Sequence, residues 1–262
     1  MKYNGYIDIV RSVERYSLAH ILAYQDIRSR YRRSTLGPFW ITLSMLVMIL
    51  CIGVIFGSVF KIPKEEFFLY LAIGFIFWNF FSGTVNEGCF GFIEASLIIK
   101  QKPVPFFVYT LRIIMRNTYI LGHNLLILPF IFLLFKKSFS LKILIIIPNL
   151  ILTFFFLGWV VLLLSLICAR YRDLPNLISS IMQVIFYLTP VIWLPNLLPN
   201  AYILNFLELN PFYHLLELIR APLLGQEIKS NSYLYILFFT FFGWSLTLIF
   251  YSKYLKRIAY WL

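Results

Sequence analysis

Charged residues are scarce in this sequence. Only 13% of its 262 residues are Asp, Glu, Lys or Arg, whereas about 25% is usual for a soluble domain. At the same time 61% of the residues are hydrophobic. The chain therefore has too little polar sequence to cover a core of this size in water, and a large soluble protein is excluded.

Sequence signatures of catalysis are also missing. There is no G-x-x-x-x-G-K-[ST] loop to hold ATP phosphates, no G-x-S-x-G and no H-E-x-x-H. The three cysteines, Cys51, Cys89 and Cys168, have no C-x-x-C spacing, so we predict neither a metal site nor a disulfide. Among the histidines, His123 is either a buried proton relay or a packing residue.

What is present is a series of long uncharged runs. A helix needs about 20 apolar residues to cross a bilayer, and six runs approach or exceed that length. They cover residues 34–60, 67–86, 117–135, 143–169, 174–207 and 230–252. We predict an all-α membrane protein with six spanning helices in a single domain, 1–262.

The basic residues are distributed unevenly around these runs. If both termini are inside, 16 Lys and Arg residues fall in inner segments and 7 in outer ones. The positive-inside rule then predicts a multi-pass membrane protein with both termini cytoplasmic. Topology and lipid headgroups account for the net charge of +12 without any nucleic acid.

Three segments between the runs have distinct patterns. Residues 16–33 predict an amphipathic helix with aromatic residues on one face and arginines on the other, lying in the membrane interface or against a partner protein. Residues 87–102 predict a short cytoplasmic helix that ends before Pro103. Residues 194–226 are rich in proline, and predict short re-entrant helices at the outer leaflet, buried in protein or lining a wet cavity.

Aromatic residues are abundant, with 28 Phe, 17 Tyr and 6 Trp. Many of them are expected to anchor the chain at the membrane interfaces. The runs FIFWNFF and FYLTPVIW, however, place rings deep in predicted spans. Ring faces stack on the C–H faces of sugars with only about 1 kcal/mol per contact, which would let a polysaccharide slide past.

Three stretches carry a family resemblance. They are QDIRSRYRRSTLGPFW (25–40), ARYRDLPNLISSIMQVIFYLTPVIW (169–193) and LNPFYHLLELIRAPLLG (209–225). Together they resemble the permease subunit of ABC transporters that export polysaccharides, especially the O-antigen exporters of Gram-negative bacteria. Capsule and teichoic-acid exporters are related to these.

The resemblance implies partners and a direction of transport. Two copies of the permease pair with two copies of a separate ATPase, which binds ATP and magnesium, so this chain needs no cofactor of its own. Residues 87–102 resemble the coupling helix that inserts into the ATPase, and 194–226 resemble periplasmic gate helices. The substrate would be a polymer on undecaprenyl diphosphate, moved from cytoplasm to periplasm across the bacterial inner membrane.

Four groups of residues are candidates for these roles. The substrate channel is expected to contain Trp40, Phe75, Trp78, Phe186 and Tyr187. Guidance of the lipid diphosphate, with topology and headgroup binding as the alternative, is expected from Arg28, Arg30, Arg32 and Arg33. Coupling to the ATPase is expected from Glu94, Lys100 and Lys102. The periplasmic gate, or only the packing of its helices, is expected to involve Asn210, Pro211, His214, Glu217 and Arg220.

Other functions fit the sequence less well. A permease for small lipids or drugs has less use for aromatic lining and re-entrant gates. A membrane glycosyltransferase or ligase that uses the same lipid carrier needs a catalytic carboxylate near the membrane surface. Only Glu87, Asp173 and Glu208 are available for that role, and no D-x-D pair is present.

Overall fold

The computed structural model describes residues 4–60, 62–136, 141–195 and 207–262. Within these ranges the chain is helical and contains no strand. The principal helices are α1 (Gly5–Glu14), α2 (Tyr16–Arg30), α3 (Phe39–Phe60), α4 (Lys64–Gly88), α5 (Gly91–Glu94), α6 (Ser96–Gln101), α7 (Phe107–Leu125), α8 (Ile127–Leu134), α9 (Ile146–Arg170), α10 (Leu174–Leu188), α11 (Pro211–Leu223), α12 (Ser230–Tyr254) and α13 (Ile258–Trp261).

Five helical stretches are long and apolar enough to cross a membrane. They are Phe39–Phe60, Lys64–Gly88, Phe107–Leu134, Lys142–Arg170 and Ser230–Trp261. Of these, α4 is the most deeply buried and forms the centre of the bundle, whereas α3 and α12 expose most of their apolar surface. The predicted all-α, multi-pass membrane fold is confirmed.

The predicted fifth span takes a shorter form. Within the uncharged run 174–207, where we predicted a spanning helix, α10 ends at Leu188 and has 15 residues. At 1.5 Å per residue it is about 22 Å long, less than the ~30 Å of a bilayer core. Two prolines mark its limits. Pro175 lies in its first turn, where no backbone N–H is needed, and Pro190 follows its end. The total of six spans stays a prediction.

Both termini lie at one end of the bundle. The backbone N–H of Gly5 donates to the Ser252 hydroxyl at 3.1 Å, which joins the start of α1 to the end of α12. We call this the terminal end, and the opposite one, which carries α11, the distal end. The helices α5 and α6 also lie at the terminal end, where Ile98 and Ile99 pack against the buried cluster that contains Tyr251 and Leu255.

Helix α1 was not predicted, and its packing inverts the usual pattern. Its buried face is formed by Gly5, Asp8 and Ser12, while Tyr6 and Val13 are exposed. The Asp8 carboxylate accepts hydrogen bonds from the backbone N–H groups of Phe106 and Phe107 at 3.1 and 3.0 Å and from the Tyr251 hydroxyl. It thereby caps the N-terminus of α7, whose first N–H groups have no partner within the helix.

Helix α2 packs along α7 through small side chains. Ala19, Ala23 and Ile27 are buried, whereas Tyr16 and Tyr24 are exposed. The predicted aromatic face of this helix is therefore only partly buried. Ala23 and Ile27 on that face pack against the protein, but the rings of Tyr16 and Tyr24 point away from it. Helix 16–33 itself is confirmed as Tyr16–Arg30.

Segment 87–102 is divided rather than continuous. Helix α4 extends to Gly88, and two short helices follow, Gly91–Glu94 and Ser96–Gln101. The prediction of a single helix over 87–102 is therefore wrong, although the second short helix does end before Pro103, as expected. The two short helices leave Glu94 at the junction, next to α7.

Candidate functional site

A groove of about 420 Å³ lies between α3, α4 and α10. Four of the five predicted channel residues line it: Phe75, Trp78, Phe186 and Tyr187. The Phe186 ring centroid is 5.9 Å from that of Phe75 and 5.5 Å from that of Trp78, and Tyr187 lies 5.3 Å from Phe186. The pair on α4 and the pair on α10 are more than 100 positions apart in sequence, and the fold brings them into one continuous aromatic surface.

Polar side chains complete the groove, and the sequence reasoning missed them. They are Asn79, Ser82, Asn86, Ser179 and Gln183. Amides and hydroxyls donate and accept hydrogen bonds without carrying charge. Rings beside neutral polar groups suit a ligand that has both C–H faces and hydroxyls. Asn79 lies within the aromatic run FIFWNFF, and Ser82 and Asn86 follow it at helical spacing, a pattern that the sequence itself contains.

Trp40 is separate from this groove. It is 46% exposed, near the start of α3, and does not line the groove. By contrast, Tyr187 is 65% exposed at the groove mouth, and Phe75 and Trp78 form its buried floor. The groove therefore has a fixed wall on α4 and an open side next to Tyr187.

The predicted arginine cluster lies where α2 ends. Arg30, Arg32 and Arg33 line, with Ser29, an open cavity of about 440 Å³. Arg28 is not part of its lining. Of the three, Arg30 also approaches the Glu87 carboxylate at 3.5 Å. The remaining guanidinium groups provide a positively charged surface suited to phosphate oxygens.

A balanced network of six charged side chains lies close to the arginine cluster, and the sequence reasoning did not predict it. The Asp26 carboxylate on α2 accepts a two-pronged pair of hydrogen bonds from Arg112 on α7, at 2.6 and 2.7 Å. Arg116, one turn further along α7, donates to Asp26 at 3.2 Å and to Glu87 at 3.0 Å. The network continues to Arg30 at one end and to Glu94 at the other.

The residues predicted to couple to the ATPase all lie at the terminal end. Glu94 is half exposed and 3.7 Å from the Arg116 guanidinium, while Lys100 and Lys102 are exposed. Lys102 lines a cavity of about 450 Å³ together with Arg11 and Arg15 of α1. The structure thus places the three residues on one surface, with Glu94 alone also reaching into the charge network.

At the distal end, two predicted gate residues hold the segment that follows α10. The Asn210 side-chain amide donates to the Thr189 hydroxyl at 2.8 Å, and Arg220 donates to the Pro190 carbonyl at 2.7 Å. Tyr70, which we did not predict, donates to the same Pro190 carbonyl at 2.9 Å. The segment that follows α10, one of the helices that line the groove, is therefore held in place by side chains from α4 and from the start and body of α11.

The other gate residues belong to the same end. Pro211 begins α11, and the Asn210 side chain caps that helix by accepting from the Phe212 N–H at 3.0 Å. His214 is buried, with its ring nitrogens 3.0 Å from the Ser232 hydroxyl and 2.8 Å from the Glu208 carbonyl. Burial lowers the pKa of the His214 imidazole. Residues 196–206 of the predicted gate lie outside the described residues.

Comparison with known proteins decides the class of the chain. Residues 18–224 match the family described as "ABC-2 type transporter". The chain belongs to the ABC-2 type transporter family. This ABC-2 protein is therefore a multi-pass membrane subunit of an ABC transporter that works with a partner ATPase, and the predicted permease role is confirmed.

Three relatives of this ABC-2 chain share the name "O-antigen export system permease protein RfbA". One, from Klebsiella pneumoniae, is 26% identical over 258 residues, which cover 95% of this chain and 92% of the relative. A second from the same organism is 26% identical over 249 residues, covering 92% and 90%. A third, from Myxococcus xanthus, is 26% identical over 195 residues, covering 71% and 72%.

Proposed function

We propose that this chain is the permease of an ABC exporter that moves undecaprenyl-diphosphate-linked O antigen from the cytoplasm to the periplasm. The observation that carries the proposal is the groove, where aromatic rings from α4 and α10 meet neutral amides and hydroxyls. A sugar chain offers C–H faces to rings and hydroxyls to amides. The name shared by the three relatives supports the same substrate.

A second copy of the chain would close the groove into a channel. Both helices beside the groove expose apolar residues, among them Val47 and Val54 on α3 and Val184 and Leu188 on α10. Two copies that meet across this face would bury these residues and set two aromatic walls opposite one another. The functional unit is then a homodimer with two copies of the ATPase, which binds ATP and magnesium.

The arginine cluster at the end of α2 would receive the lipid diphosphate on the cytoplasmic side. Arg32 and Arg33 line the cavity there, and Arg28 flanks it. Guanidinium groups bind phosphate oxygens through paired hydrogen bonds. In this orientation the terminal end is cytoplasmic, and the distal end with Asn210, His214, Glu217 and Arg220 faces the periplasm as the gate.

Export in a bacterium that depends on this permease and its ATPase tests the proposal. The variants Trp78→Ala and Tyr187→Ala remove rings from the floor and mouth of the groove, and are expected to lower the amount of long surface polymer several-fold. Phe241→Ala on α12, a residue 79% exposed and outside the groove, is the matched control. If both groove variants export normal amounts of long polymer at equal membrane levels of protein, the proposed aromatic channel for the sugar chain is refuted.

A further inference from the structure

The charge network at the terminal end spans four helices. Asp26 and Arg30 lie on α2, Glu87 on α4, Glu94 on α5, and Arg112 and Arg116 on α7. Three cations face three carboxylates, so the cluster is balanced without an external ion. Asn117 adds a further hydrogen bond from its side-chain amide to Glu87.

Burial within the network changes systematically along it. The Arg116 side chain at the centre is 7% exposed, whereas Glu94 at one end is 49% and Arg30 at the other 51% exposed. The buried centre thus connects two accessible ends. One end lies on the surface proposed to dock the ATPase, and the other on the arginine cluster proposed to receive the diphosphate.

Stability alone does not explain such a cluster. Burying ion pairs costs desolvation, and apolar residues of similar size often stabilise a protein as well or better. Buried charged pairs are best documented as devices that fix one register between elements. Here α2 rests on α7 through Ala19, Ala23 and Ile27, a smooth face on which the ion pairs set the position of the helix.

The contact of the network to α2 is stronger than its contact to α5. Asp26 is held to Arg112 by two short hydrogen bonds, so α2 is firmly tied to α7. Glu94 reaches Arg116 only at 3.7 Å and is open to solvent. A displacement of α5 therefore changes the charge facing Arg116 first, and Arg116 shares its guanidinium with Asp26 and Glu87.

From this geometry we propose that Asp26, Glu87, Arg112 and Arg116 form a joint that transmits displacement of α5 to α2. The four are positioning residues that link the ATPase-facing helix to the arginine-bearing one. The inference rests on the proposed docking of α5 to the ATPase, but not on the identity of the exported substrate.

Spin-label distances in the complex of permease and ATPase test the joint. Labels at position 97 beside α5 or at position 24 on α2, both exposed sites, are each paired with a label at position 241 on α12, with labelled copies diluted into unlabelled ones. A non-hydrolysable ATP analogue is expected to shift both distances in the otherwise unchanged protein. In Asp26→Asn, the distance from 97 should still shift while the shift at 24 is lost.

Two further variants make the result decisive. Asp26→Glu keeps the charge and should restore the shift at position 24, whereas Glu14→Gln, which removes an exposed charge from α1, should leave both shifts unchanged. If Asp26→Asn does not fold, the pair Asp26→Asn/Arg112→Gln replaces it, because it leaves no unpaired charge at this contact. A full shift at position 24 without the Asp26 charge would overturn the joint.

The polymer is absent from this experiment, so its result does not depend on which substrate the permease exports. A permease that fails to export O antigen but shows the coupled shifts would retain the joint and lose the substrate assignment. The joint would likewise be rejected if, in the complex without further substitutions, the nucleotide analogue shifts the distance from position 97 but not the distance from position 24.

Discussion

The guanidinium of Arg220 lies 3.8 Å from the centre of the Tyr70 ring, and both side chains donate to the carbonyl of Pro190. The Tyr70 hydroxyl also reaches the Trp193 carbonyl, at 3.2 Å. A cation over a ring and a shared acceptor hold α4, α11 and the end of α10 in one arrangement. These contacts fix the segment that follows α10, Pro190 to Trp193, against α4 and α11.

Tyr70→Phe is expected to loosen the segment that follows α10. The change keeps the ring under Arg220 but removes the hydroxyl that donates to two carbonyls, at a cost of about 1–2 kcal/mol. Amide hydrogen exchange over 189–194 should become faster, and the unfolding temperature should fall slightly. Tyr24→Phe, an exposed ring on α2, is the control, and equal exchange in the two variants would contradict the contact.

Gly74 leaves the space that the Arg220 side chain occupies. A Cβ at this position would lie 2.5 Å from Arg220 Nη2 and 2.9 Å from the Val191 carbonyl oxygen. Gly74→Ala is therefore expected to destabilise the protein by about 1–3 kcal/mol through overpacking.

The matched control for that variant is Gly122→Ala on α7. A Cβ at position 122 meets nothing within 4 Å, so alanine should be neutral or stabilise the helix by up to about 1 kcal/mol. Thermal unfolding of both variants in the same detergent checks the pair. Equal unfolding temperatures would show that the packing around Arg220 is not tight.

Asp8→Ala is expected to release α1 from the bundle. The backbone N–H groups of Phe106 and Phe107 lose their acceptor, and so does the Tyr251 hydroxyl. An unsatisfied buried donor costs about 1–3 kcal/mol. Limited proteolysis should then cut the N-terminal segment faster than in Glu14→Gln, and equal cleavage rates would argue against Asp8 as the anchor.

Acid is expected to weaken the distal end through His214. Burial favours the neutral imidazole in the folded state, and Glu208, Glu217 and Lys229 contribute smaller electrostatic effects. Because the folded-state pKa is lowered, this contribution to stability is present above the unfolded pKa of about 6.5 and is lost as pH falls below it. The unfolding temperature should drop between neutral pH and mild acid by more than it does in His214→Gln.

Most of the spans and the aromatic side of α4 followed from local sequence. Apolar runs locate α3, α4, α9 and α12 within a few residues, because a bilayer core demands uninterrupted hydrophobic length. The rings of Phe75 and Trp78 fall on one side of α4, as positions three apart do in a helix. Their contact with Phe186 depends on how α10 packs against α4, which local sequence does not determine and which only the family resemblance indicated.

Other features could not be read locally. In α1, polar Asp8 and Ser12 pack inward while Tyr6 is exposed, which inverts the rule that apolar residues face the protein. The pairing of Asp26 with Arg112 joins positions 86 apart, and no sequence spacing encodes it. The one available clue was that Arg112 and Arg116 lie one helical turn apart just before the uncharged run 117–135, so that a helix starting earlier would place both on one face.

The central claim is that sugar passes over the aromatic groove. A photo-activatable phenylalanine analogue at position 187, in cells that are exporting polymer, tests it most directly, with position 241 on α12 as the lipid-facing control. We predict polysaccharide adducts at 187 that appear only with an active ATPase, and none at 241. Absence of adducts at 187 during active export, or equal adducts at both positions, would contradict the account.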